Sequence, residues 1–139
     1  MKQPEEVREF KKELSSYPFL QKKLEGARDL CRYCYDLLPG GVRSPSLTEH
    51  GHTQMSKETE YRIREEIEKH EARIQSYLQR IREIDEVLAL MDEDMREACI
   101  DIYMKGRTVK RVCRKHHLSE YGLKYRVNKA IQFSLQAHK

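Results

Sequence analysis

The chain has 139 residues and a formal net charge of +4, a length that suits one domain or two small ones. Charged residues make up 36% of the sequence, a share that favours long exposed helices over one large compact core. No apolar run approaches the ~20 residues that a membrane-spanning helix needs, and the N-terminus lacks the apolar stretch of a secretory signal. We therefore expect a cytoplasmic protein with no membrane partner, whose four cysteines are reduced.

The first part of the chain carries apolar or small residues at steps of three and four, which predicts helix with one buried face. Pro18, preceded by Ser15 and Ser16, interrupts this pattern, so we expect a short first helix and a second that starts near Tyr17. Glycine and proline then cluster and predict a flexible loop over 39–57. The apolar positions are Val7, Phe10, Leu14, Tyr17, Leu20, Leu24, Ala27, Cys31, Cys34 and Leu38.

A second helical region follows the loop and carries a regular heptad seam. Its positions are Ile63, Ile67, His70, Ile74, Tyr77, Ile81, Ile84, Leu88 and Met91. Such a coiled-coil helix needs a partner, because an isolated amphipathic helix cannot bury its apolar face. The partner is either 17–38 folded back as a hairpin or the same helix of a second subunit. We expect a helical hairpin that also forms a homodimer.

Beyond Met91, the sequence predicts three short helices and no strand. Asp92 is the expected N-cap of a helix that Gly106 ends, Thr108 caps a helix over 109–116, and Ser119 caps the last one. The fold class is therefore all-α. We expect two domains, a helical hairpin or coiled coil over 1–91 and a helix-turn-helix domain over 92–139.

The C-terminal segment is strongly basic. Ten of the 27 Lys and Arg residues but only one acid, Glu120, lie in 105–139, which gives this segment a net charge of +9 and leaves −5 for the rest. A basic end on an acidic body predicts a polyanionic partner, although a solvated charged face is the simpler alternative. Two short helices that meet at a tight turn favour double-stranded DNA, whose major groove admits one helix.

The apolar pattern assigns the faces of these two helices. Val109, Val112, Cys113, His116, Leu118, Leu123, Val127, Ala130 and Ile131 are expected to face inward. His117 occupies the turn position that prefers glycine, and histidine tolerates the left-handed conformation better than most residues. The recognition helix, about 119–135, then presents its candidates for contacting base edges, Glu120, Tyr121, Lys124, Tyr125 and Asn128. The phosphate candidates are Arg107, Lys110, Arg111, Arg114, Lys115, Ser119, Arg126 and Lys129.

Single assignments have alternatives. Asn128 suits adenine, and Lys124 suits guanine or a phosphate. The alternative for each basic residue is an exposed, solvated charge that contacts no DNA. The alternative for Tyr121 and Tyr125 is packing within the protein.

The stretch from Ile100 to Leu135 resembles region 4 of sigma-70-type factors. The resemblance is carried by Ile100-Asp101-Ile102-Tyr103-Met104-Lys105-Gly106-Arg107-Thr108-Val109, His117-Leu118-Ser119 and Val127-Asn128-Lys129-Ala130-Ile131. It is more specifically similar to phage and prophage late-gene regulators of the RinA and ArpU groups. Those proteins also place a predicted coiled coil before the helix-turn-helix. The resemblance implies activation of phage late or packaging genes in a bacterial host, with RNA polymerase as a possible partner.

Metal and catalytic chemistry find little support in the sequence. Cys31 and Cys34 with His50 and His52 are residue types that bind zinc, but both cysteines fall on the apolar stripe, so we expect no metal and no cofactor. No phosphate-binding glycine loop, nucleophile elbow or zinc-protease motif is present, and we expect no enzyme.

The leading hypothesis is a sequence-specific DNA-binding transcription regulator. One alternative is the small subunit of a phage terminase, which joins a helix-turn-helix to a coiled coil but assembles as a ring. Another is an adaptor that contacts RNA polymerase.

Overall fold

A computed structural model of the chain describes residues 4–40 and 55–139. These residues form α1 (Glu5–Leu37), α2 (Lys57–Ala89), α3 (Glu93–Cys99), a π-helical segment (Ile100–Met104), α4 (Val109–His116) and α5 (Glu120–His138). The described ranges contain no strand, which confirms the all-α class. None of their helices is long and apolar enough to cross a membrane. Most of the predicted loop 39–57 lies outside the described residues.

The chain divides into two compact units. The terminal unit comprises Met1–Leu20 together with Arg80–Lys139, and the middle unit comprises Gln21–Gln79.

Helix α1 is continuous through Pro18, so the expected break near Tyr17 is wrong. Proline inside a helix removes one backbone hydrogen bond and crowds the carbonyl four residues earlier, which costs about 3 kcal/mol. Contacts within the terminal unit hold both sides of Pro18. The Tyr17 hydroxyl donates a hydrogen bond to Asp85 at 2.9 Å, Glu13 pairs with Arg80 at 2.7 Å, and Leu14 and Leu20 are buried. These contacts offset the local penalty, which the sequence pattern alone does not include.

The middle unit has a small core between the second part of α1 and the first part of α2. Cys31, Leu38 and Ile67 are buried, and Cys34, Ile63 and Ile74 pack against them. The predicted stripe and seam therefore face one another here. His70 also lies on the seam and is buried, and its Nδ1 atom has no hydrogen-bond partner within the described residues.

The terminal unit has the larger core. Its buried side chains come from all five helices: Val7, Phe10, Leu14, Leu20, Ile84, Val87, Leu88, Met91, Met95, Ala98, Cys99, Val112, Cys113, Leu123, Val127 and Ile131. Ser134 is buried with them, although the sequence pattern did not assign it to the core.

Backbone groups at the junction of α2 and α3 are satisfied by side chains. Asp92 accepts a hydrogen bond from the Met95 backbone N–H at 3.4 Å, which confirms the predicted N-cap. The Arg96 guanidinium donates to the carbonyls of Leu88 and Met91, both at 3.0 Å. These carbonyls lie at and just beyond the end of α2, where the donors four residues later run out, and the Leu88 carbonyl also accepts from the Met91 N–H at 3.1 Å.

Helix α3 continues into the π-segment before it ends at the predicted glycine. The Lys105 backbone N–H donates to the Ile100 carbonyl at 2.9 Å, a five-residue spacing that widens the last turn. Gly106 has a φ of +67°, and the Arg107 N–H donates to the Asp101 carbonyl at 2.8 Å. The left-handed residue and this bond reverse the chain direction, so that α4 can start three residues later.

Candidate nucleic-acid interface

Helices α4 and α5 are joined by a tight turn over 117–119, and each begins at its predicted cap. Thr108 Oγ1 accepts a hydrogen bond from the Arg111 N–H at 3.2 Å, and Ser119 Oγ accepts one from the Gly122 N–H at 3.0 Å. His117 ends α4 in the left-handed conformation, with φ 56° and ψ 44°. The predicted conformation of the turn histidine is confirmed.

Gly122 has a physical reason for its position in the first turn of α5. A Cβ atom at this residue would lie 3.1 Å from Ser119 Oγ, which is tighter than ordinary contact. Glycine therefore leaves room for the capping hydroxyl, at the helix-propensity penalty of about 1 kcal/mol that the sequence predicted.

Helix α5 separates a buried face from an exposed one. Leu123, Val127, Ile131 and Ser134 are buried on the inner face. Four of the five predicted base-contact residues, Glu120, Tyr121, Lys124 and Tyr125, are exposed. Tyr121 exposes 81% and Tyr125 55% of their surface, so neither tyrosine is a core packing residue of this chain. The ammonium group of Lys129 lies over the Tyr125 ring, 5.7 Å from its centroid.

Asn128, the fifth candidate, is in a different environment. Its side chain is half-buried, and its Oδ1 atom accepts a hydrogen bond from the ammonium group of Lys11 on α1 at 2.5 Å. Lys11 also lies 5.7 Å from the centroid of the Tyr103 ring. Burial is the main reason why the pKa of Lys11 is lowered, and the positive charge of Lys124 lowers it further. No sequence pattern predicted this contact, because Lys11 lies beside the apolar stripe as other charged residues of α1 do.

The predicted phosphate contacts are mostly exposed. Arg107, Lys110, Arg111, Arg114, Arg126 and Lys129 are all exposed around α4 and α5. The Ser119 hydroxyl is already engaged as the α5 cap. Lys115 forms ion pairs with Glu97 and Asp101, and hydrogen bonds to these two carboxylates raise its pKa. Part of the charge of Lys115 is therefore neutralised within the chain.

Two of the four candidate zinc ligands lie in the part of the chain that the structure describes. Cys31 is buried and Cys34 half-buried in the core of the middle unit, and burial raises the pKa of both thiols. His50 and His52 lie outside the described residues. Within 4–40 and 55–139, no group of three metal-ligating side chains is present.

Searches of protein-family models, of curated proteins and of solved structures found no match to this chain.

Proposed function

We propose that this protein is a sequence-specific regulator of transcription that binds double-stranded DNA with α4 and α5 as a helix-turn-helix. The observation that carries the proposal is the exposed face of α5, where Tyr121, Lys124 and Tyr125 extend from a helix whose opposite face is buried. We propose a binding role without catalysis for this exposed basic surface.

The dimensions and charge of this region support the proposal. Helix α5 has 19 residues and is about 28 Å long, and the B-DNA major groove is about 12 Å wide, enough to admit one α-helix. The segment 105–139 carries a net charge of +9, which attracts the phosphate backbone. In this arrangement α5 enters the groove and the cations of α4 contact phosphates beside it.

The residues divide into two roles. Tyr121, Lys124 and Tyr125 contact base edges, Glu120 accepts from a cytosine amino group, and Asn128 contributes from the position where Lys11 holds it. Arg107, Lys110, Arg111, Arg114, Arg126 and Lys129 contact phosphates and set the register without reading sequence. Lys115 and Ser119 contribute less, because each already has a partner within the chain.

The biological role follows from the sequence resemblance. We place the protein with the phage and prophage late-gene regulators of the RinA and ArpU type, as an activator that works beside RNA polymerase in the bacterial cytoplasm. The resemblance to sigma-factor region 4 and the basic charge of the same segment support this role.

A homodimer is the proposed assembly, and an exposed apolar stripe on α1 supports it. Leu30, Tyr33 and Leu37 recur at helical spacing and expose 51%, 60% and 42% of their surface. They lie in the middle unit, whose own buried apolar cluster is small. Pairing of this stripe with its copy would bury apolar surface that the single chain leaves in water.

Selection of random duplex DNA by the full-length protein at physiological salt tests the function. Enrichment of a two-part site is expected, with half-sites about one helical turn apart. The double variant Lys124→Ala with Asn128→Ala should lose the selected sequence but keep its helical circular dichroism. Gln136→Ala, an exposed change on the same helix, is the control.

Retention of DNA without enrichment of a site would contradict the proposal. In that case, a ring of many subunits in solution would favour the terminase small subunit. Binding that required RNA polymerase would favour the adaptor.

A further inference from the structure

A cavity of about 280 Å³ lies in the terminal unit between the π-segment and the first turns of α4. It is lined by Asp101, Lys105, Arg107, Arg111, Val112 and Lys115. Four of these six side chains are cationic. Three of them, Arg107, Arg111 and Lys115, are predicted phosphate contacts, whereas Lys105 is not among the predicted residues.

The charges around this cavity are unequal. Asp101 is the single acid in the lining, only 8% of its surface is exposed, and it is paired with Lys115 at 3.2 Å. Lys105, Arg107 and Arg111 form no ion pair with any acid in the described ranges. Three cations therefore face the cavity beside an acid–base pair that is already neutralised.

A neighbouring cavity shows that this imbalance is local. It measures about 270 Å³ and shares Asp101, Lys105 and Lys115, but it adds Glu93 and Glu97 and only one further cation, Arg96. Its acids and cations are equal in number. An anion is therefore attracted to the first cavity and not to the second.

Backbone hydrogen bonds and a positive φ place the residues that carry these cations. Lys105 and Arg107 stand on either side of Gly106, whose positive φ turns the chain, and the Arg107 N–H is bonded to the Asp101 carbonyl at 2.8 Å. Arg111 is held in the first turn of α4 by the Thr108 cap. The positive end of the α4 dipole adds to the attraction.

We propose that this cavity binds one phosphate group, clamped by Lys105, Arg107 and Arg111. Guanidinium groups form paired hydrogen bonds with phosphate oxygens, and two of the three cations are arginines. The volume falls just below the ~300–1,000 Å³ of small-molecule pockets, which suits a phosphate or diphosphate group better than a whole nucleotide. The phosphate comes either from the DNA backbone or from a free phosphorylated compound. In its DNA form the inference rests on the proposed function.

Sodium pyrophosphate is the probe for the first test, added to the ¹⁵N-labelled full-length protein and compared with sodium chloride at equal ionic strength. We expect saturable changes in the amide resonances of 105–111. Binding should weaken roughly fivefold or more in Arg107→Gln and in Arg111→Gln, because each removes a charge-assisted hydrogen bond. Lys110→Gln, a neighbouring exposed cation that does not line the cavity, is the matched control and should bind pyrophosphate as the unaltered protein does. Changes that match those caused by sodium chloride, or equal weakening in Lys110→Gln, would overturn the site.

Competition with DNA identifies the source of the phosphate. If pyrophosphate weakens DNA binding by the unaltered protein but not by the Arg107→Gln variant, the site binds a phosphate of the DNA backbone. Pyrophosphate that binds and leaves DNA affinity unchanged assigns it to a free phosphorylated compound. If the protein binds DNA specifically but does not bind pyrophosphate, the phosphate site is wrong and the proposed function stands. If it binds pyrophosphate but does not bind DNA specifically, the proposed function is wrong and the phosphate site stands.

Discussion

Lys11 and Asn128 are 117 positions apart in the sequence, and the Lys11 ammonium group donates a hydrogen bond to Asn128 Oδ1 at 2.5 Å. The contact ties the first helix of the chain to the exposed side of α5, within the same unit. It fixes the direction of a side chain that we propose to contact bases. We therefore expect Lys11, far from the basic segment in sequence, to influence what the proposed DNA-binding surface recognises.

Lys11→Met should change both stability and DNA recognition. Loss of the hydrogen bond lowers the free energy of unfolding by about 1 kcal/mol, since Asn128 is half-buried. The selected DNA site should become more variable at one base pair, because the amide is no longer oriented. Lys12→Met is the matched control. The Lys12 ammonium group is exposed and, within the described residues, pairs weakly with Glu9 at 3.8 Å, so this change should leave both measurements unaltered. Equal effects from the two variants would contradict the positioning role of Lys11.

His117→Gly should stabilise the protein. Histidine holds a left-handed conformation there that costs an L-residue roughly 1–2 kcal/mol, whereas glycine adopts it freely. After the extra chain entropy of glycine in the unfolded state, a gain of up to about 1 kcal/mol is expected in urea unfolding. Arg114→Gly, a change within α4, should instead lower the free energy of unfolding by about 1 kcal/mol. A loss in both variants would show that contacts of the His117 side chain outweigh its backbone strain.

Gly122→Ala tests the close approach to Ser119 through a double-mutant cycle. Alanine gains helix propensity but crowds the capping oxygen, so the two effects of about 1 kcal/mol each should nearly cancel. In a Ser119→Gly background the crowding is absent, and the same change should stabilise by about 1 kcal/mol. Thermal unfolding of the four proteins measures the coupling. Additive effects would mean that the cap adjusts without loss.

Cys99→Ala should flatten the dependence of stability on alkaline pH. Burial raises the pKa of Cys99 to about 12 from its ordinary value of 9.0. The thiol therefore contributes stability that is complete below pH 9 and is lost as the pH rises towards 12, because only the unfolded chain ionises in that range. Between pH 8 and 10.5, the unaltered protein should lose about 2 kcal/mol more than the variant in urea unfolding. Parallel losses would contradict the burial of this thiol. Cys113→Ala removes a buried cysteine at a different core position and controls for the packing that any such change loses.

Leu30→Glu combined with Tyr33→Glu should convert the proposed dimer into a monomer. Two charges on the exposed stripe would have to be buried without partners in the interface, which is strongly unfavourable. Sedimentation equilibrium measures the mass, and circular dichroism checks that α1 remains helical. Tyr61→Glu is the control, because Tyr61 is equally exposed in the middle unit but lies on α2. An unchanged mass in the stripe variant would move the interface elsewhere.

Local signals in the sequence predicted much of the terminal unit correctly. Caps at Asp92, Thr108 and Ser119, the stop at Gly106 and the left-handed His117 all depend on residues within a few positions of one another. Each is a short-range hydrogen bond or a backbone preference, so the sequence contains the information. The heptad seam was also predicted correctly as the less exposed side of α2.

Features that depend on distant partners were not predictable. Helix α1 passes through Pro18 because Asp85 and Arg80, more than sixty residues later, hold the neighbouring turns. In the sequence, Lys11 and Lys105 resemble ordinary surface charges. The fold places Lys11 beside Asn128 and Lys105 at a cavity. The base-contact and phosphate assignments stay predictions, since they concern a partner molecule.

The π-segment over Ile100–Met104 contains one residue more than an α-helical turn would need. Removal of one residue there should restore a plain helix and rotate everything that follows by about 100°. The extra residue therefore sets the angular phase between the apolar positions before the segment and those after it.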